Sequence, residues 1–293
     1  MRKLLLGIVA AAALIFGAAA PASAITGNYV EDYEHPYVGL VVFYDEAGEF
    51  TGRCSGSLLT PTVFLTAGHC TDDNATAIVY FQQDAGANYD PDTQLDPITG
   101  YPEFCAGDTL GEVCATSDEL YNYGFDDFAS FPNTYDVGLV ILDQPIYLDE
   151  YGALAAPGSL DGLATARGTQ EVTFTASGYG LTKSSPVAFE SYRERLMASG
   201  ILVNLSSANT DGYNLQTSGN GAGRGGTCSG DSGGPVFYGG YESNTIVAVT
   251  SFGLNSWCRG VDFAYRTDQQ AVLDWIASII GEDEFSQIEV VTL

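Results

Sequence analysis

Gly230-Asp231-Ser232-Gly233-Gly234-Pro235 is the stretch on which the reading of this 293-residue chain turns. Glycines on both sides of a serine let the backbone approach a bound molecule closely and adopt positive φ. The amides of Gly230 and Ser232 can then converge on one oxygen atom, as an oxyanion-binding pair does. A lone Gly-x-Ser-x-Gly is often an ordinary turn, but the full six-residue run is much more specific.

Serine is a poor nucleophile without a base, and the chain holds only two histidines. His69 lies in Leu65-Thr66-Ala67-Gly68-His69-Cys70, where an apolar strand hands the imidazole to a turn. His35, in His35-Pro36-Tyr37, has no such context and reads as a surface or packing residue. The base needs a carboxylate to fix its tautomer. Asp136 stands out among the acids because it heads the apolar run Val137–Leu142, where a carboxylate is costly unless it is hydrogen-bonded.

Working outward, 45% of the chain is hydrophobic, enough for one large core or two small ones. Arg2-Lys3, the apolar stretch from Leu4 to Ala20 and Ala22-Ser23-Ala24 read as a secretory signal peptide over residues 1–24. The competing reading, a membrane anchor, is disfavoured by the short apolar run and the cleavage site behind it. The expected localisation is secreted, extracellular or periplasmic, with no membrane partner once the signal is gone. In that oxidising setting the six cysteines, Cys54, Cys70, Cys105, Cys114, Cys228 and Cys258, can form three disulfides. Formal net charge is −27, and loss of residues 1–24 makes it two units more negative. So acidic a surface repels nucleic acid and excludes that class of partner. It serves solubility, or in the sharper reading adaptation to salt.

Short strand-like runs recur between turn residues: Val38–Phe43, Ser57–Leu59, Val63–Thr66, Ala77–Phe81, Val137–Leu142, Glu171–Ala176, Gly200–Leu205, Pro235–Tyr238, Thr245–Ser251 and Phe263–Tyr265. They predict an all-β, antiparallel barrel or sandwich. Residues 84–134, rich in Asp, Gly, Pro and Tyr, read as a long acidic surface insertion, with Cys105 and Cys114 close enough to staple a local loop. Thr267 and Gln270 form a Thr-x-x-Gln capping box for a C-terminal helix carrying Val272, Leu273, Ile276, Ile279 and Ile280 on one face and stopping at Gly281. Residues 282–293 form an acidic then apolar tail, either an extra strand or frayed.

The order His69…Asp136…Ser232, with Thr66-Ala67-Gly68-His69-Cys70, Asp136-Val137-Gly138-Leu139 and Gly230–Pro235, resembles the trypsin/chymotrypsin serine proteases over residues 25 to about 281. The resemblance implies two antiparallel six-stranded β-barrels of the chymotrypsin type with a C-terminal α-helix. The barrels fall to 25–155 and 156–281, and the active site to the cleft between them. It implies an endopeptidase acting on protein or peptide substrates, with Ser232 as nucleophile, His69 as general base and Asp136 orienting it. The Gly230 and Ser232 amides would hold the oxyanion. It also implies Cys54–Cys70 bracing the histidine loop and Cys228–Cys258 bracing the specificity pocket. Cys105–Cys114 has no family counterpart. Ser251-Phe252-Gly253 resembles the family's Ser-Trp-Gly strand that pairs with substrate, with Phe252 in place of Trp.

Cleavage after Ala24 would expose Ile25-Thr26-Gly27, which resembles the family's activated N-terminus. The Ile25 ammonium would then pair with Asp231, which, if buried, needs a cation. Six residues before the nucleophile stands Gly226, with Thr227 beside it, where an Asp would select Lys or Arg. With Gly253 at the wall, a roomy pocket for large apolar or aromatic side chains, or broad specificity, is expected at P1. The alternatives are a trypsin-like preference, if the register of Arg259–Tyr265 brings Asp262 into the pocket, and a non-proteolytic secreted binding protein on the same fold. No cofactor or catalytic metal is expected. Thr71-Asp72-Asp73-Asn74 offers oxygens for a structural Ca²⁺, although solvated loop acids are the default. The chain is expected to be a monomer.

Overall fold

The computed structural model describes residues 25–85, 90, 93–94, 105, 110–164, 171–185, 188–191 and 193–293. The segment read as a signal peptide, 1–24, lies outside the described residues, as does most of 86–109.

The N-terminal sheet runs Cys114–Ser117, Thr76–Tyr80, Val38–Tyr44, Phe50–Leu58, Val63–Thr66, Gly138–Ile141, Glu119–Asn122. Its two end strands are successive in sequence, separated only by Asp118. One bent run therefore pairs with both edges and closes the sheet into a barrel, which leaves no free edge to aggregate. Val38 through Phe43 are buried at every position instead of alternating, because loops and the second barrel cover the outer face of this strand.

The second barrel closes by a different route. Thr173–Gly178, Leu196–Asn204, Asn214–Ser218, Val261–Arg266, Thr245–Gly253 and Pro235–Tyr238 form a ring of six strands. Pro235–Tyr238 completes it by pairing with both Thr175 and Val249 neighbourhoods. Phe174, Leu202, Leu215, Val236, Val247 and Ala264 fill its interior. Tyr179, Phe237, Val249 and Tyr265 join the larger core that also holds Leu40, Phe64 and Leu139, so an apolar junction fixes one barrel against the other.

Three expectations are corrected here. Residues 114–122 complete the first barrel, so 84–134 is not one surface excursion; Cys114, Ala115 and Ser117 are small inward residues that hide the strand among polar neighbours. The division at 155/156 is crossed by the chain start. Thr26–Gly27 pairs with Gly225–Gly226, and Val30–Glu31 with Leu196–Met197, both on the second barrel. The capping box does not form: the helix is Gln270–Ile280 with Gln269 as its N-cap. Thr267 is buried, and its amide still donates to Val247 O at 2.9 Å as part of the barrel rim.

The helix stops at Gly281, whose φ of 82° a side chain would oppose and whose amide caps Ala277 O at 2.8 Å. The tail then packs. Glu282–Phe285 is helical, Ile288 is buried, and Val290–Val291 pairs parallel with Ala153–Ala155. No helix among the described residues is long and apolar enough to cross a membrane.

Candidate active site

The strand Val63–Thr66 ends at Ala67, and a single helical turn, Gly68–Thr71, presents His69. The Cys54–Cys70 disulfide ties this turn to the neighbouring strand. Asp136 arrives from the start of Gly138–Ile141, with its carboxylate fully buried. Asp136 Oδ1 accepts the His69 amide at 2.8 Å, and Oδ2 lies 2.9 Å from His69 Nδ1. Burial alone would lower the His69 pKa. The charge of Asp136 and its hydrogen bond outweigh burial and hold it above the ordinary imidazole value. The Ser251 hydroxyl also donates to Asp136 Oδ2, a contact that the sequence reading did not assign.

The turn carrying Ser232 is pressed against the histidine segment. Gly233 has φ of 76°, and a Cβ there would meet Thr66 Oγ1 at 2.1 Å and the Ala67 nitrogen at 2.6 Å. No other residue type fits, which is why a glycine follows the serine. Ser55 holds the turn from the first barrel: its amide donates to Ser232 O and its hydroxyl to Gly230 O, each at 2.8 Å. Ser232 and His69 accordingly line one open cleft of about 380 Å³, together with Arg53, Cys54, Asp72 and Asp73. Among the described residues, neither the Gly230 nor the Ser232 amide donates to another backbone group. Gly230, at φ of 98°, turns the chain here.

Asp231 points the other way and is fully buried. Its oxygens accept the amides of Cys228 and Gly180, each at 2.8 Å, while burial pushes its pKa up to about 7. Ile25 is buried against Leu196 and Ala198. In the uncut chain Ile25 is still joined to Ala24 and has no free amine with which to meet Asp231.

Beside Ser232 opens a pocket of about 250 Å³ lined by Thr227, Ser251, Phe252, Gly253, Arg259 and Asp262 among others. Phe252 stacks on Phe263 with ring centroids 4.5 Å apart. The register Gly253↔Asp262 is the one adopted, and it brings Asp262 to the floor. A Cβ on Gly226 would meet Asp262 Oδ2 at 2.5 Å, so the glycine makes room for the carboxylate of another strand. Burial raises the Asp262 pKa to about 6.

Cys54–Cys70, Cys105–Cys114 and Cys228–Cys258 are all bonded. His35 lies far from the cleft, stacked 4.3 Å from Phe237, with Nδ1 2.9 Å from Asp32. Among the described residues, the one group of potential metal ligands close enough to share an ion is Cys54, His69 and Cys70, where the disulfide occupies both sulfurs. Asp72 Oδ1 accepts from Asn122, and Asn74 donates to Cys70 O.

Brachyurin of Leptuca pugilator is 28% identical over 235 residues, covering 78% of this chain and 88% of that protein. Chymotrypsin of Phaedon cochleariae is 25% identical, covering 86% and 80%. Among solved structures, HL collagenase superposes with a TM-score of 0.61 at 18% identity, covering 88% of this chain and 98% of its own. Human heparin binding protein superposes with a TM-score of 0.58, also at 18% identity, covering 88% and 97%. At that identity the two structures bear on the fold alone, and they share its two barrels. The family model described as Trypsin matches residues 24–276, and by that match across most of its length the chain belongs to the trypsin family, as a serine endopeptidase.

Proposed function

We propose that this endopeptidase is exported through residues 1–24 and cleaves peptide bonds by an acyl-enzyme route at Ser232. The observation that carries the reading is the buried Asp136 carboxylate on His69 Nδ1, in a cleft that Ser232 shares. Asp136 keeps the Nδ1 proton in place, leaving Nε2 free to accept one. His69 takes the Ser232 proton as the oxygen attacks the substrate carbonyl. The tetrahedral oxyanion meets the free amides of Gly230 and Ser232, and His69 returns the proton to the leaving amine. Water repeats the cycle in reverse, freeing the acid product and regenerating the serine. Cleavage after Ala24 gives Ile25 an ammonium group, which pairs with Asp231 and relieves the burial of its charge.

Asp262 sets the preference at P1. An ionised carboxylate at the floor favours Lys or Arg, while the stems of those residues and large apolar side chains share the pocket between Ser251–Gly253 and Thr227. This moves the reading from an apolar pocket toward a broad one with a basic component. The three disulfides fit an exported protein. Cleavage of a mixed peptide library at pH 8 tests the proposal: cuts after Lys and Arg alongside Leu, Phe and Tyr are expected. Exclusively apolar P1 residues would remove Asp262 from the account. No cleavage by correctly processed protein would favour a binding role. Sequencing of the mature N-terminus should return Ile25.

A further inference from the structure

One cation beside the serine turn, Arg53, belongs to neither the proposed triad nor the P1 pocket. Arg53 lies on the strand Phe50–Leu58, one residue before Cys54, and lines the cleft that holds His69 and Ser232. A Cβ built on Gly230 would meet Arg53 Nε at 3.1 Å and Nη2 at 3.5 Å, and the Gly180 Cα at 2.9 Å. Arg53, Gly180 and Gly230 therefore meet at one point. Gly180 donates its amide to Asp231, and among the described residues the Gly230 amide donates to no other backbone group.

The surroundings explain why a guanidinium sits here. Asp231 is a fully buried carboxylate with two amide donors, and Asp262, half-buried, adds a second negative charge in its field. Arg53 supplies the opposing positive charge, which lowers the cost of ionising Asp231. The guanidinium is itself partly desolvated, and the charge of Asp231 offsets part of that loss. Because guanidinium does not deprotonate in proteins, this charge is present whether or not an N-terminal amine has arrived.

Resting on the site assignment proposed above, we propose that Arg53 is a positioning residue for the oxyanion loop: lodged against Gly230 and Gly180, it holds residues 228–232 with both amides turned into the cleft. It acts through Gly230 and Asp231 and has no role in proton transfer. Such a residue changes turnover more than substrate capture, because the oxyanion is absent from the bound substrate and forms only as the tetrahedral intermediate is reached.

The test compares wild type with Arg53→Gln and Arg53→Lys, each measured as kcat per Ser232 titrated by a phosphonyl fluoride, with KM on the same peptide. Titration counts folded sites, so misfolding lowers the titre and leaves kcat per site unchanged. Arg53→Gln is expected to lose about tenfold in kcat per site, less than the 10²–10³ lost with an oxyanion donor, with KM within about twofold. Arg53→Lys should recover most of that loss, since a charge returns to the same place. In a chain extended by one residue before Ile25, the Arg53→Gln loss should be larger, because Arg53 is then the only cation among the described residues that opposes the Asp231 charge. An unchanged kcat per site, or an effect confined to KM, would overturn the inference and make Arg53 a substrate contact. No titration of Ser232 in the wild-type chain would overturn the site assignment itself, and this inference with it.

Discussion

Asp262 Oδ2 accepts the Thr227 amide at 3.3 Å, so the floor of the pocket beside Ser232 carries a carboxylate although Gly226, the residue at the floor position, has no side chain. The acid comes from the strand Val261–Arg266, three strands further along the chain than Gly225–Gly226.

Replacing this acid should split the two substrate classes. In Asp262→Ser, kcat/KM for Lys and Arg at P1 is expected to fall by about 10²-fold or more, the scale of breaking a desolvated charge pair. Leu and Phe substrates should change by no more than about threefold. In the wild type, the ratio of basic to apolar kcat/KM should rise as pH climbs through about 6, where the free Asp262 ionises. A ratio independent of pH would mean that Asp262 does not face the substrate.

The same group gives a stability prediction of definite sign. Its folded-state pKa, about 6, lies above the unfolded value near 4. The protonated acid therefore favours the folded chain below about pH 4, and that advantage is lost as pH rises through about 6. The shift corresponds to about 3 kcal/mol. Asp262→Asn should thus gain stability relative to wild type at pH 8, and little or none at pH 4, in paired thermal melts.

His69 titrates above the ordinary imidazole value because Asp136 outweighs burial. Activity requires the neutral imidazole, so the acid limb of kcat/KM should have its midpoint above about 6.5. Asp136→Asn should move that midpoint down and lower kcat by about 10⁴-fold, the loss seen for the equivalent change in serine proteases of this kind. A pH profile with an unshifted acid limb in the variant would separate Asp136 from His69 ionisation.

How far all this was legible in the sequence differs from residue to residue. The meeting of Asp136 with His69, in a cleft that Ser232 also lines, was readable because each of the three sits in a distinctive local run. Gly233 was readable for the same reason, since nothing larger fits against Thr66. Asp262 stayed ambiguous because its place depends on the register against Gly253, which the intervening loop does not reveal. Ser251 on Asp136 and Arg53 beside Gly230 are contacts across more than one hundred residues, and no periodicity reports them. Thr267 matched a helix-start pattern, but the barrel rim claimed its amide first.

The tail offers a stability test away from the chemistry. Ile288 is buried between the segments that carry Glu282–Phe285 and Val290–Val291, and Thr60 Oγ1 donates to Glu284 Oε1 at 2.6 Å. Ile288→Ala is expected to cost about 2–3 kcal/mol in urea or thermal unfolding, with kcat and KM unchanged. A loss below about 0.5 kcal/mol would show that the tail is not packed in solution.

The claim on which everything else depends is that Ser232 is an activated nucleophile. Its most direct test is mass-spectrometric mapping after treatment of the processed protein with a serine-directed phosphonyl reagent, alongside Ser232→Ala. The account predicts one adduct per chain, on Ser232, with loss of peptidase activity in step with labelling and no adduct in the variant. An unlabelled Ser232, or activity that survives either its labelling or its replacement by alanine, would contradict it.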